Sequence, residues 1–197
     1  MKDWTGNNKA IYTCLGASNH ALETRAENDY YATHPRAAEL LLEVEPDLNE
    51  IWEPAVGGDL AKVFEEAGKL AHVSDIIDRG YPNTGIFDFL QGGTHYEEGD
   101  IVTNPPYKYA REFVEQALEY IDTGRKVCMF LKVTFLEGKA RKDFFKKYPP
   151  KVIYVCSGRI PCAKNGDFDK FPSSAVAYAW YVWEKGYEGK TEVRWIN

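Results

Sequence analysis

Short apolar runs alternate with segments of helical periodicity along most of the chain. Pro35 opens a helix through Leu42, with Thr33 or His34 at its boundary, because proline is well tolerated at a first helical position. That helix should end before Pro46. Ile51-Trp52 reads as a short strand entering a glycine turn, followed by a helix from Asp59 to Ala67. Further strands are expected at Leu70 to Ser74, near Ile86-Phe87, and at Asp100 to Thr103. From Tyr109 to Ile121, the apolar residues Phe113, Ala117, Leu118 and Ile121 share one helical face. Val127 to Leu131 is apolar throughout, as a strand covered on both faces requires. A basic helix from Gly138 to Lys147 stops at Pro149-Pro150, and Val152 to Val155 makes another strand. Ser174 to Trp183 is an aromatic run with partial alternation and predicts the last strand, its rings being sheet core. Residues 1–28 are polar and weakly patterned, so they read as an arm preceding a single domain over 29–197.

This alternation predicts an α/β fold with a mainly parallel sheet. In such folds the ligand lies beyond the carboxyl ends of the strands, near the topological switch point. Glu53, Asp75, Asp88 and Asn104 all fall just after predicted strands. The segment Asn104-Pro105-Pro106-Tyr107 is a stiff loop, because each proline ring fixes φ and removes a backbone donor. Pro105 also keeps Asn104 out of helical geometry. An amide side chain and unbonded carbonyls are thus held at a strand end, with an aromatic ring after them. That suits gripping a planar amino group stacked on Tyr107. An ordinary turn would accommodate the same four residues, so the convergence of four polar strand ends is what marks a site.

Glu53 to Asp59 links a strand to a helix through Gly57 and Gly58. Glycines let the backbone approach a ligand, and a helix N-terminus presents free N–H groups. The Lys-Ser/Thr of a phosphate loop is missing, and so is the glycine spacing of a dinucleotide fold. An acidic residue before the turn suits an amino-bearing ligand instead. Asp75 is placed for ribose hydroxyls, and Asp88 for an adenine amino group beside the Phe89 ring. Taken singly, each acid is better read as a loop carboxylate or helix cap, Asp59 in particular.

At 197 residues, with 44% hydrophobic and 14% aromatic content, the chain suits one domain with a real core. No long apolar run or basic-then-apolar N-terminus stands out, so no membrane span or signal peptide is expected and the reading is cytoplasmic. Cys14, Cys128, Cys156 and Cys162 form no CxxC pair, which favours reduced thiols. His20, His34, His72 and His95 lack ligand spacing, so no metal is assigned. A net charge of −6 argues mildly against clamping duplex DNA through phosphates alone. The basic stretch from Arg125 to Lys151 reads first as a solvated helix face and second as a phosphate track.

With these residues together, the sequence resembles the class I S-adenosylmethionine-dependent amino-methyltransferases. More narrowly, it is similar to small phage- or prophage-type DNA adenine N6-methyltransferases, over nearly the whole chain from Asp29. Asn104 to Tyr107 matches the catalytic signature, and Glu53-Pro54-Ala55-Val56-Gly57 matches the cofactor motif. The resemblance implies a Rossmann-like class I methyltransferase fold, mainly parallel, with a C-terminal antiparallel strand. It implies S-adenosyl-L-methionine as cofactor and DNA as partner, with no membrane or metal. Target recognition would fall to loop 157–174, the arm or a partner protein.

By the same resemblance, Tyr30, Thr33 and Pro35 lie at the methionine end of the cofactor. Glu53, Pro54, Ala55, Gly57 and Gly58 hold its turn, Asp75 and Ile76 its ribose, and Asp88 and Phe89 its adenine, with Asn104 also in contact. Asn104, Pro105, Pro106 and Tyr107 are the catalytic set. Asn104 Oδ1 and the Pro105 carbonyl would accept the two N–H bonds of the target amine, and Tyr107 would stack on a flipped base. Phe168 or Phe171 would supply a second wall, with plain core packing as an equal alternative, and Arg159 a phosphate contact. The family has Gly-x-Gly after Glu-Pro, whereas Gly57-Gly58-Asp59 is one residue shorter. The same motif chemistry serves RNA adenine, cytosine N4 and protein glutamine. A non-catalytic, cofactor-binding regulatory module is the alternative from another class.

Overall fold

The apolar run at Val127 becomes the middle of a sheet. In the computed structural model, which describes residues 31–93, 95–96, 98–164, 168 and 176–197, it forms most of β6 (Lys126–Lys132). The arm, Tyr30 and Phe171 lie outside the described residues. Every residue of β6 before Lys132 is buried, because helices cover both sheet faces.

Ahead of β6 come β1 (Tyr31–Thr33), α1 (Arg36–Val44), β2 (Ile51–Glu53), α2 (Asp59–Glu66), β3 (Leu70–Asp75), β4 (Gly85–Ile86), β5 (Ile101–Thr103) and α3 (Ala110–Tyr120). After it come α4 (Lys139–Lys147), β7 (Val152–Cys156), β8 (Cys162–Lys164), β9 (Tyr178–Glu184) and β10 (Glu192–Ile196). Eight strands form one sheet in the order β10-β7-β9-β6-β5-β2-β3-β4. Strand β9 runs antiparallel to β6 and β7, and the remaining pairs are parallel. Strands β1 and β8 make a separate antiparallel pair.

Side-chain alternation along β6 divides the core. Cys128 and Phe130 pack with Leu40 and Leu41 of α1 and Phe64 of α2. Val127, Met129 and Leu131 point the other way, among Phe113 and Ala117 of α3 and Phe144 of α4. Two tryptophans of β9 anchor the layers through their ring N–H groups: Trp180 donates to the Ala37 carbonyl at 2.8 Å and Trp183 to the Tyr148 carbonyl at 3.0 Å. The aromatic run is therefore sheet core.

At the amino end of β6, Lys126 donates to Glu45 and Asp47, each at 2.6 Å, and Tyr154 donates to the other Glu45 oxygen at 2.7 Å. Burial opposes the ammonium charge, but the bonds to Asp47 and Glu45 more than offset it and raise its pKa. Lys126→Met should leave Glu45 buried without its cation, costing about 3 kcal/mol of stability, measurable by chemical denaturation.

The helices and the expected strands fall where the sequence pattern puts them to within a few residues, with three strands added. Strands β1, β8 and β10 were not anticipated: β1 and β8 are three residues each, and β10 is exposed except at Ile196. The expected helix at Tyr109 starts at Ala110, after a 3-10 turn over Tyr107–Tyr109. Strand β9 starts at Tyr178, and Val176 and Ala177 before it are not extended sheet. Among the described residues, no helix is long and apolar enough to cross a membrane, and no three His, Cys, Asp or Glu side chains converge as metal ligands.

Candidate active site

From β2 the chain moves outward to β3 and β4, then returns to β5 on the other side of β2. Loops leaving β2 and β5 diverge there, which is where open α/β sheets bind ligands. A cavity of about 680 Å³ occupies this crevice. Its walls come from Thr33 on β1, Glu53, Pro54, Ala55 and Gly57 at and after the end of β2, Asp75, Ile76 and Arg79 at and after the end of β3, Phe87 to Leu90 after β4, and Asn104 to Tyr109 after β5.

The four polar strand ends therefore share one cavity. Glu53 is 2% exposed, and its Oε2 has no hydrogen-bond partner among the described residues. Burial, then the negative charges of Asp59 and Asp75, pushes its carboxyl well above the ordinary carboxylate range. Gly58 takes φ +99° at the N-cap of α2, while Gly57 lines the cavity. The short glycine turn thus assigns one glycine to the backbone reversal and the other to the ligand side. Asp59 is the first residue of α2 rather than its side-chain cap, and it too lines the cavity.

Asp75 ends β3 and accepts from Ile77 N at 3.1 Å and Arg79 Nε at 3.0 Å. Its two oxygens retain further lone pairs for a diol. Asp88 accepts from Leu90 N at 3.0 Å, capping a 3-10 turn. The Phe89 ring is 2% exposed and stacks on Phe113 at 4.9 Å, so it belongs mainly to the core. Ile76, Phe87 and Leu90 line the cavity alongside the edge of Phe89 and supply further apolar surface there.

Asn104 follows β5 directly, and its Nδ2 donates to Thr33 Oγ1 at 2.7 Å. Thr33 reaches it because β1 pairs with β8, with Thr33 opposite Cys162. The bond fixes the amide orientation, with the nitrogen toward β1 and Oδ1, also buried, on the opposite side. Tyr109 N donates to the Pro106 carbonyl at 2.8 Å, closing the turn that presents Tyr107. Burial, then Cys162 and Tyr178, pushes the Tyr107 phenol well above its ordinary value, so the ring stays neutral.

Of the other expected contacts, Pro35 caps α1, Gly58 serves the turn, and Arg159 is exposed beyond β7; none of these lines the cavity. Phe168 packs edge-on against His34 at 5.1 Å and does not line it either. Phe87, Leu90, Arg79, Lys108 and Phe113 were missed and do line it. Spacing from the strand ends was the only signal for the first three, and nothing local marked Phe113.

No protein-family model matches the sequence. No curated protein matches it either. Solved structures do share its architecture. A Listeria monocytogenes protein described as a class I S-adenosylmethionine-dependent methyltransferase superposes with TM-score 0.57 at 15% identity, over 92% of this chain and 69% of that one. The type IIG restriction endonuclease BpuSI gives TM-score 0.59 at 15% identity, over 89% of this chain but 28% of its own. A protein from Agrobacterium tumefaciens described as an O-methyltransferase gives 0.55 at 14% identity, over 80% of this chain and 85% of that one. The fold is thus the Rossmann-like fold of class I methyltransferases, mostly parallel with antiparallel β9: the mainly parallel α/β sheet is what the sequence pattern predicts, and the antiparallel strand is what the resemblance implies.

Proposed function

We propose that the protein transfers a methyl group from S-adenosyl-L-methionine to the exocyclic N6 of adenine in DNA. One observation carries this reading: the Asn104 to Tyr107 loop and the carboxylates of Glu53, Asp75 and Asp88 line the same cavity. Its volume suits a nucleoside bearing an amino acid. The orphaned Glu53 oxygen, buried near Asp59 and Asp75, fits a cationic ligand. Glu53 would receive the ammonium group, Asp75 the ribose hydroxyls, and Asp88 the adenine amine, with Ile76 and Phe87 against the ring. When bound, S-adenosylmethionine supplies an electrophilic methyl on a sulfonium.

The chain's own residues then act on the target. An adenine amine is conjugated with its ring and is a poor nucleophile. Asn104 Oδ1 and the Pro105 carbonyl accept its two N–H bonds and draw the lone pair out of conjugation. As the N–C bond forms and the S–C bond breaks, positive charge grows on the nitrogen beside these fixed acceptors. They stabilise it without reorganising. The extra proton leaves to water afterwards, so no ionised base is needed. Tyr107 stacks on the base and keeps nucleophile and methyl aligned.

The test is transfer of an isotopically labelled methyl to unmethylated DNA, RNA and a glutamine-containing peptide in parallel, with mass analysis of products. N6-methyladenine in DNA is the expected result. Label confined to RNA or peptide would overturn the DNA assignment, and cofactor binding without transfer would overturn the enzymatic one.

A further inference from the structure

The two ends of β6 treat their lysines oppositely. Lys126 at the amino end is held by two carboxylates. Lys132 at the carboxyl end has no carboxylate partner among the described residues, and its ammonium lies 4.6 Å from the centroid of the Tyr107 ring. Its backbone is fixed, with the Lys132 carbonyl accepting from Tyr181 Oη at 3.2 Å. Parallel pairing of β5 with β6, Thr103 beside Met129, is what brings it to the Asn104 loop. Lys108 in that loop also lacks a carboxylate partner among the described residues and donates to Tyr109 Oη at 3.1 Å. The surroundings of the site are therefore polarised. Glu53, Asp59 and Asp75 line the cofactor side of the cavity and Lys108 its Asn104 to Tyr109 wall, while Lys132 lies against the Tyr107 ring without itself lining the cavity.

We propose that Lys132 is the phosphate contact of the target nucleotide, which makes the substrate a nucleic-acid strand rather than a protein amide. The proposal rests on the methyl-transfer reading above. An ammonium over Tyr107 occupies space that a stacked base requires, and base–aromatic stacking outweighs a cation–π contact of a partly exposed lysine. The target nitrogen also gains positive charge during transfer, so an ammonium left on the ring would oppose the reaction. A backbone phosphate gives the displaced charge an anionic partner while the base takes its place. A neutral glutamine amide gives it none.

The test compares wild type, Lys132→Gln and Lys132→Arg, each confirmed folded by its melting transition. Initial rates are measured with S-adenosylmethionine and adenine-containing oligodeoxyribonucleotide, oligoribonucleotide or glutamine peptide, over a salt series. Lys132→Gln should raise the oligonucleotide KM about tenfold and lower the slope of log KM against log salt by about 1. The loss should fall on KM rather than kcat, and Lys132→Arg should restore both KM and slope. The two oligonucleotides show which backbone is taken. Unchanged KM and slope in folded Lys132→Gln, with wild type methylating an oligonucleotide, would overturn the inference alone. Wild-type transfer only to the peptide, or to nothing, would overturn it together with the functional reading.

Discussion

Asn104→Ala is expected to lower kcat for methyl transfer about 10²- to 10³-fold, comparable to removing one preorganised group from a transition-state site. Cofactor affinity should stay close to wild type, because the carboxylates assigned to the cofactor stand on β2, β3 and the loop after β4. The substitution removes Oδ1 and the bond to Thr33. Thr33→Val separates the two effects: it keeps the acceptor but releases the amide to rotate. A smaller kcat loss is expected there, with Thr33→Ser close to wild type. Single-turnover rates and calorimetric cofactor binding check both statements. Full turnover in Asn104→Ala would remove the amide from the mechanism.

Glu53→Gln should strengthen the ligand-free protein and weaken the site. The folded-state pKa of Glu53 is raised well above its ordinary 4.5, by burial first and by Asp59 and Asp75 next. A raised folded pKa means that its stabilising contribution is present below 4.5 and lost as pH rises through the folded value. Above that window the wild type holds a buried, ionised carboxylate that the amide avoids. Melting curves of the ligand-free proteins should therefore diverge with rising pH, the variant being more stable. Binding has the opposite sign. Losing the charge-assisted bond to an ammonium should weaken S-adenosylmethionine about 10- to 100-fold at high pH. Wild-type affinity should rise with pH through the same window, with proton release, while the variant stays flat. Calorimetry in buffers of different ionisation enthalpy reads both; a pH-independent wild type would show that Glu53 does not meet the ligand.

The parts of this molecule legible in sequence are those set by local pattern. Proline pairs, the β6 apolar run and the polar residue after each strand place the sheet and bring Glu53, Asp75, Asp88 and Asn104 to one crevice. What the sequence hides is decided by distant partners. Thr33 orients Asn104 only because β1 pairs with β8, 129 residues further on, at Cys162 (162 − 33). Phe89 looked like a stacking surface, yet Phe113 takes its face. The basic stretch read as one feature, but its members meet different fates. Lys126 is buried between acids, Arg141 donates to the Thr134 and Glu137 carbonyls, and Lys132 covers Tyr107. All three are cationic residues of one basic stretch, and it is tertiary placement that separates them.

The most direct measurement is nucleoside analysis of adenine-unmethylated DNA incubated with S-adenosylmethionine and either wild-type protein or Asn104→Ala. The mechanism requires N6-methyldeoxyadenosine from the wild type and at most trace amounts from the variant. Equal yields from both, or none from a wild type that binds the cofactor, would contradict it.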